Sequence, residues 1–171
     1  MILVGMGANL EHPVYGAPLN SLEEAVRVLK KQGVKIIRQS SWYRTEPVPV
    51  SDQPWFVNAV LAVETKLDMP SFLSFLHEVE QGFGRVRDIK WEARVLDLDL
   101  LAYHEEITEN TDQAAGGVVP HPFMQERAFV LAPLCEILPD WQHPLLKHSA
   151  SELLAALGEP PAFEIVPVKA P

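Results

Sequence analysis

Apolar residues change their period several times along the chain, and each change marks an element. Residues 2–8, ILVGMGA, form a short apolar run bounded by polar positions, which predicts a buried strand. Leu22, Ala25, Val26 and Leu29 then repeat at helical spacing. Ser21 with Glu24 three positions later makes a capping-box pattern at the start of this helix, and Gly33 marks its end. Residues 34–43, VKIIRQSSWY, read as a strand. A stretch with Pro47, Pro49 and Pro54 follows, and residues 56–65, FVNAVLAVET, read as the next strand. Asp68 is placed to cap a helix carrying Pro70 in its first turn. Phe72, Leu73, Leu76 and Val79 supply its apolar face, and Gly82 stops it. Beyond a polar, basic stretch at 84–90, residues 94–103, RVLDLDLLAY, read as another buried strand.

The order strand, helix, strand, strand, helix, strand predicts an α+β protein with a ferredoxin-like βαββαβ core, a mostly antiparallel sheet with helices on one face. A C-terminal helical extension follows a loop at NTDQAAGG. It begins with ERAFVLAPLCEIL, which Pro133 is expected to interrupt or kink. SASELLAALG predicts a short last helix closed by Gly158, and FEIV a final edge strand. Neither repeats nor a domain boundary are visible, so residues 1–171 read as a single domain.

Composition narrows the class. With 171 residues, 47% of them hydrophobic and 22% charged, the chain has the material for one globular core. A formal charge of −9 argues against nucleic acid or an anionic membrane surface as partner. The lone Cys135 excludes an internal disulfide and a thiolate metal cage, and fits a reducing compartment. Set among Leu134, Ile137 and Leu138, it reads as a small buried hydrophobe. The apolar N-terminus lacks the charged region of a signal peptide, and no run reaches a membrane-spanning length. The expectation is a soluble cytoplasmic protein, read as a monomer with no protein partner evident.

Two aspartates inside an apolar strand are the first chemical signal. Strand side chains alternate, so Asp97 and Asp99 point to one face while Leu96, Leu98 and Leu100 point to the other. Their Cα atoms are roughly 6.5–7 Å apart. Two like charges so close call for neutralising cations or an opening to water. Arg85, Arg87, Lys90 and Arg94 precede them within ten positions. Carboxylates hold Mg²⁺, Mg²⁺ holds phosphate oxygens, and arginines grip further phosphate oxygens in bidentate fashion. Hard oxygen ligands favour Mg²⁺ or Mn²⁺ over zinc. No G-x-x-x-x-G-K-[ST] is present, and GMGANL has Leu10 where a dinucleotide fingerprint needs its third glycine. Its glycines instead suit close backbone approach at a sheet end. His121 in the loop before Arg127 suits a second phosphate clamp. Phe56 and Asn58 share a strand face, a ring to stack and an amide to read a flat heteroaromatic ligand; taken alone, an ordinary core Phe and a strand-end Asn are the favoured reading.

The segments GANL, SSWYRTEPV, DQPWFVNAV, EVEQGFGRVR, WEARVLDLDLL and VPHPFMQERAFVLAPL, in this order over residues 5 to about 139, together resemble the 6-hydroxymethyl-7,8-dihydropterin pyrophosphokinase family of folate biosynthesis. The resemblance implies a ferredoxin-like fold and transfer of the pyrophosphoryl group of ATP to the hydroxymethyl of the reduced pterin, with two Mg²⁺ ions and release of AMP. It implies that Asp97 and Asp99 hold both ions, that Arg85 and Arg94 meet the phosphates from a loop, and that Trp91 is that loop's lid aromatic. Glu80, Arg87, His121 and Arg127 are implied as ATP contacts, together with Trp91 and Arg94. Phe56 and Phe129 are implied to sandwich the pterin and Asn58 to read its edge, with the backbone around Thr45 and Val48 completing the pocket. Glu92-Ala93 departs from the usual Gly-Pro of the loop, and Glu46, His77 and Pro122 also depart from the family pattern. Two rival readings remain: another two-metal phosphoryl-transfer enzyme or hydrolase, such as a nuclease or phosphatase, and a non-catalytic ferredoxin-like ligand-binding module.

Overall fold

The computed structural model of the chain describes residues 1–48, 50–84, 94–108, 117–158 and 163–166. Its elements run β1 (Ile2–Ala8), α1 (Pro18–Lys31), β2 (Lys35–Gln39), β3 (Trp42–Thr45), β4 (Phe56–Glu64), α2 (Met69–Gly82), β5 (Asp97–Tyr103), α3 (Ala128–Ile137), α4 (Ala150–Ala156) and β6 (Phe163–Val166). The six described strands form one sheet in the order β5-β1-β4-β3-β6, with β2 pairing along the remainder of β4. Every pairing is antiparallel. Helix α1 links β1 to β2 with β4 lying between them, and α2 links β4 to β5 with β1 between. These are the two interleaved β-α-β units of the ferredoxin-like pattern.

Both faces of the sheet are covered, which explains the near-continuous apolar runs of β1 and β4. Ile2, Val4 and Met6 of β1, Leu61 and Val63 of β4, and Leu98 and Leu100 of β5 pack with Leu22 and Leu29 of α1 and Phe72 and Leu76 of α2. Leu3, Val60, Ala62, Leu101 and Ala102 face the other way and pack with Val130, Leu134 and Ile137 of α3 and Ala150 of α4. Each such Leu, Val or Phe contributes about 1.5–3 kcal/mol by leaving water. Helices on one face therefore hold only for the βαββαβ core, because the C-terminal extension seals the opposite face. A register shift between Leu3 and Val4 lets Leu101 and Ala102 both face α3, a bulge that breaks strict alternation at that end of β5.

Several boundaries differ from the sequence expectation for local reasons. The strand expected over 34–43 is two strands. Between them the Ser40 amide donates to the Val60 carbonyl, while its Oγ accepts from the Val60 amide at 3.0 Å and donates to the Ser41 carbonyl. A side chain thus replaces one ladder bond, and both pieces still pair with β4. Helix α1 begins at Pro18 after Ala17, with no side-chain cap. The fixed φ of proline starts the helix one turn early, so Ser21 lies buried inside it and Glu24 pairs with Arg27 at 2.8 Å. Helix α3 continues through Pro133. The burial of Val130, Leu131, Leu134 and Ile137 outweighs the roughly 3 kcal/mol that an interior proline costs.

Other local signals hold. Asp68 accepts from the Ser71 amide at 3.0 Å and caps α2. Ser149 and Glu152 form a capping box on α4, and Gly158 follows it at φ 76°. Residues 163–166 add an edge strand beside β3. Among the described residues, no helix is long and apolar enough to cross a membrane.

Glu136 fastens α3 to the far strands. Its carboxylate accepts from the Ser41 amide at 3.0 Å, the Ser41 hydroxyl at 2.9 Å and the buried Tyr43 hydroxyl at 2.8 Å. Burial and then the Glu136 carboxylate push the Tyr43 hydroxyl pKa up, so it stays a donor throughout the physiological range. Glu136→Ala is expected to lower the stability of the chain by about 1–3 kcal/mol, since it leaves the Tyr43 and Ser41 donors without this acceptor. Denaturant unfolding checks this, with Glu24→Ala, an exposed helical pair, expected to change stability by less than about 0.5 kcal/mol.

Candidate active site

The sheet face that packs against α3 and α4 changes character along its length. At one end it carries Leu3, Val60 and Leu101, all buried. At the other, register places Asp97 opposite Gly7 and Asp99 opposite Gly5 on β1, and Gly7 opposite Asn58 on β4. Asn58 pairs in turn with Tyr43, and Phe56 with Thr45 on β3. Opposed residues in an antiparallel pair project to the same side. The two carboxylates, two bare glycines, Asn58 and Phe56 therefore share one open end of this face. Gly7 is needed there, because a Cβ would stand 2.8 Å from Asn58 Oδ1 and about as far as contact allows, 4.0 Å, from the Phe56 ring. The expected close approach at the sheet end is thus between β1 and the side chains of β4.

Arginines answer both carboxylates. Arg94 Nη1 pairs with Asp97 Oδ2, and Arg127 Nη1 lies 3.8 Å from Asp99 Oδ2. Desolvation, and secondly the Asp97 charge, hold the Asp99 carboxyl well above the ordinary carboxylate range; Arg127 and Arg94 oppose this without cancelling it. Arg127 stands at the N-terminal end of α3, where its guanidinium lies 5.6 Å from the Phe129 ring centre and 5.7 Å from that of Phe123. His121 precedes it in the loop. Burial, and then the Arg127 charge, lower its pKa to about 4, so its ring is neutral at pH 7. Its Nδ1 accepts from the Phe123 amide at 3.2 Å, which leaves the proton on Nε2 as a neutral donor.

Asn58 is buried, and its Nδ2 donates to Thr45 Oγ1 at 2.7 Å. That bond locks the amide orientation beside Phe56. Val48 lies beyond β3 and is 54% exposed. Glu80 sits on the other side of β5. It is 1% exposed, and its Oε1 accepts from the Leu98 amide at 2.7 Å, the unpaired edge of the strand between the two aspartates. One carboxylate oxygen of this implied ATP contact thus holds the aspartate strand in place. Arg85, Arg87 and Trp91, with Lys90 and the Glu92-Ala93 departure, lie outside the described residues.

One residue of the site carried no role in the sequence reading. Asn9 is 3% exposed at the end of β1. Its Oδ1 accepts from the Arg94 amide at 2.7 Å, its own amide donates to the Arg94 carbonyl at 2.9 Å, and its Nδ2 donates to the Pro54 carbonyl at 3.1 Å and to Gln53 Oε1 at 3.3 Å. It thereby ties the segment before β5 to the segment before Phe56. A polar residue after an apolar strand looks like a turn residue, and only its position in GANL hinted at more.

Asp97 and Asp99 suit a hard divalent cation. Their repulsion, only partly offset by the two arginines, favours a cation between them, and their donors are all oxygen. Among the described residues no group of three or more His, Cys, Asp and Glu gathers at one point. A carboxylate pair suits Mg²⁺, which keeps waters and phosphate oxygens as its other ligands, and does not suit a closed zinc cage.

The raised Asp99 pKa carries a stability consequence. A carboxyl held above its unfolded value costs nothing below the unfolded pKa and destabilises increasingly as pH rises through the folded one. Asp99→Asn is therefore expected to be more stable than the parent at pH 8 without metal, by on the order of 1 kcal/mol after allowance for solvent screening. The gap closes as pH falls towards 4, roughly the ordinary carboxylate value. Thermal melts across pH check this, and added Mg²⁺ should stabilise the parent and not the variant.

Residues 3–139 match the sequence model of the family described as 7,8-dihydro-6-hydroxymethylpterin-pyrophosphokinase, HPPK. The 2-amino-4-hydroxy-6-hydroxymethyldihydropteridine pyrophosphokinase of Methylorubrum extorquens is 40% identical over 138 residues, covering 80% of this chain and 82% of that protein. The Pseudomonas aeruginosa protein of the same name is 37% identical over 157 residues, covering 91% of this chain and 90% of its own. The chain also superposes on the wild-type HPPK-DHPS of Plasmodium falciparum with a TM-score of 0.70 at 14% identity, over 91% of this chain and 42% of that one. This last likeness concerns the fold alone.

Proposed function

Since the chain belongs to the 7,8-dihydro-6-hydroxymethylpterin pyrophosphokinase family, we propose that the open end of the sheet face is where its reaction occurs. The enzyme transfers pyrophosphate from ATP to the 6-hydroxymethyl group of 6-hydroxymethyl-7,8-dihydropterin, a step of folate biosynthesis that releases AMP. The observation that carries the placement is the single face on which Asp97, Asp99 and their arginines adjoin Phe56 and Asn58 across the Gly5–Gly7 floor. A rival two-metal hydrolase would need the carboxylates but not the neighbouring ring and locked amide.

Asp97 and Asp99 would hold two Mg²⁺ ions, which supply charge neutralisation at the phosphate oxygens. The chain's own groups do the rest. Arg94 and Arg127, which pair with the aspartates in this structure, would turn to the phosphates and stabilise charge gathering there. His121 would donate a hydrogen bond from its neutral Nε2–H to a phosphate or ribose oxygen. Arg85, Arg87 and Trp91 are proposed as further ATP contacts. Phe56 and Phe129 stack on the pterin, Asn58 reads its edge, and the backbone near Thr45 and Val48 completes the pocket. The pterin hydroxyl oxygen, held in line, forms the new bond to the β-phosphorus as the bond to the AMP oxygen breaks. A cytoplasmic monomer, a single domain over residues 1–171, completes the proposal.

Incubation with ATP, Mg²⁺ and the reduced hydroxymethylpterin should yield AMP and the pterin diphosphate in equal amounts, read by phosphorus NMR. ADP as product would exclude pyrophosphoryl transfer. Asp97→Asn and Asp99→Asn are expected to lose turnover by at least about a hundredfold at saturating Mg²⁺ while remaining folded. Near-normal turnover in either one would remove the carboxylate pair from the metal site.

The pterin pocket is tested separately. Phe56→Ala and Phe129→Ala should weaken pterin binding by more than the roughly 0.5–1.5 kcal/mol of a stacked ring alone, since area burial is lost too. Asn58→Ala should weaken it through unpaired donors and acceptors. Calorimetry with the pterin and, independently, with an ATP analogue checks this; the ATP affinity should stay within about threefold.

A further inference from the structure

We infer that Phe123 is a positioning residue for Arg127: its ring, together with that of Phe129, holds the guanidinium at the Asp99 side of the site and leaves the N–H donors free for phosphate. This rests on Arg127 meeting the triphosphate, as proposed above.

Arg127 is held by ring faces more than by bonds. Its Nη1 stands 3.8 Å from Asp99 Oδ2, an ion pair beyond hydrogen-bond length. Among the described residues, its guanidinium makes no hydrogen bond. Yet its side chain is only 18% exposed, so packing orders it. Its Cζ lies 5.6 Å from the centre of the Phe129 ring and 5.7 Å from that of Phe123. Both distances are within the range over which a ring attracts a cation. A carboxylate that fixed the guanidinium by a bidentate bond would occupy its N–H groups. A ring fixes it and occupies none, so the five donors stay available to phosphate oxygens.

The core does not account for the place of Phe123. It is 48% exposed and belongs to neither hydrophobic cluster. Its contacts are the two implied nucleotide residues. Besides the Arg127 guanidinium it meets His121, whose ring centre lies 6.1 Å away edge-on and whose Nδ1 accepts from the Phe123 amide at 3.2 Å. The turn that carries all three is stiff. The Met124 amide donates to the His121 carbonyl at 3.2 Å, the Glu126 amide to the Phe123 carbonyl at 3.2 Å, and the Arg127 amide to the Met124 carbonyl at 3.3 Å. Met124 is fully buried and anchors the turn in the core beneath α3. The His121 amide donates to the Leu101 carbonyl at 2.8 Å, which ties the turn to the aspartate strand. Phe129 is proposed to stack on the pterin, so Phe123 is the ring left to hold Arg127 whichever substrate is bound.

Calorimetry in the presence of Mg²⁺ tests this with two probes, a non-hydrolysable ATP analogue and inorganic tripolyphosphate. The variants are Phe123→Leu, Phe123→Tyr, Arg127→Ala and the double variant Phe123→Leu with Arg127→Ala. Phe123→Leu keeps an apolar side chain and removes the ring face. It should weaken both probes by about three- to tenfold, the range of a partly desolvated cation–ring contact. The pterin affinity should stay within about twofold and the melting temperature within about 3 °C, since the ring lies outside the core. Phe123→Tyr should bind both probes like the parent. In the Arg127→Ala background, Phe123→Leu should cost less than about 1.5-fold, because the ring acts through the guanidinium. Parent-like affinities in Phe123→Leu, a fully additive loss in the double variant, or a loss in Phe123→Tyr equal to that in Phe123→Leu would each overturn the inference. A loss confined to the ATP analogue, with tripolyphosphate binding intact, would place the ring on the nucleotide itself and overturn it too. None of these outcomes touches the parent's formation of AMP from ATP and the pterin, which tests the reaction independently. Parent-like affinity for both probes in Arg127→Ala would remove Arg127 from the phosphates, and the inference with it.

Discussion

Asp97 and Asp99 point the same way from β5, against a sheet that elsewhere on that face is dry, and their mutual repulsion has to be contained by whatever surrounds them. Arg94 and Arg127 each take one carboxylate. Burial and the neighbouring Asp97 charge still leave the Asp99 carboxyl held high. The floor beside them is stripped to Gly5 and Gly7, so no side chain of β1 adds to the crowding. From the opposite side, Glu80 accepts from the Leu98 amide and anchors the edge strand between its two charged positions. Without that anchor, the pair would be freer to relax apart. Charge, bare backbone and a buried strut thus form one device.

The placement of that device follows from how the sheet is covered. Helix α3 lies over only part of its face, where Leu3, Val60, Ala62 and Leu101 meet Val130, Leu134 and Ile137. Its N-terminal end marks the frontier between dry core and open site, and Arg127 stands there. Its guanidinium meets the rings of Phe123 and Phe129 and reaches the Asp99 carboxylate, apolar contact on one side and charge on the other. Glu136, the next-to-last residue of the same helix, bonds Ser41 and Tyr43 and so anchors the opposite end of the helix to β3. Stability and chemistry are therefore coupled through one helix, although Glu136 touches no part of the site.

Much of this was legible along the chain, and the reason is periodicity. Alternation alone put Asp97 and Asp99 on one face with Leu98 and Leu100 on the other, and paired Phe56 with Asn58; register confirms both. Local capping chemistry identified Asp68 and Gly158. What escaped was either overridden locally or built over long range. Ser21 and Glu24 match a capping box, but Pro18 starts the helix first. Ser40 interrupts a strand by offering its hydroxyl to the ladder, which no alternation pattern reveals. Asn9 joins a partner 85 positions away, and Glu80 reads as one more charged helix residue until β5 is seen beside it. Two-sided coverage of the sheet was implicit in the unbroken apolar runs of β1 and β4, which a one-sided sheet would not need.

The charge balance of the site shows why it requires more than its described residues. Two carboxylates and two guanidiniums nearly cancel, and the chain as a whole carries −9. Such a surface has no long-range attraction for a polyanion such as ATP. Binding has to be local and additive: in the proposed reaction, cations held by the aspartates would reverse the sign there and leave the arginines available to phosphate. Further positive groups must come from outside this balanced set, and Arg85, Arg87 and Lys90 are the ones that adjoin it in sequence. Their segment starts from Phe83 and Gly84 and returns at Arg94, the residue that Asn9 holds and that already pairs with Asp97. Under the proposed function, exchange of that pair for a phosphate contact would occur next to the residues that add positive charge in sequence, and Arg94 would be the member shared by the aspartate pair and the basic stretch.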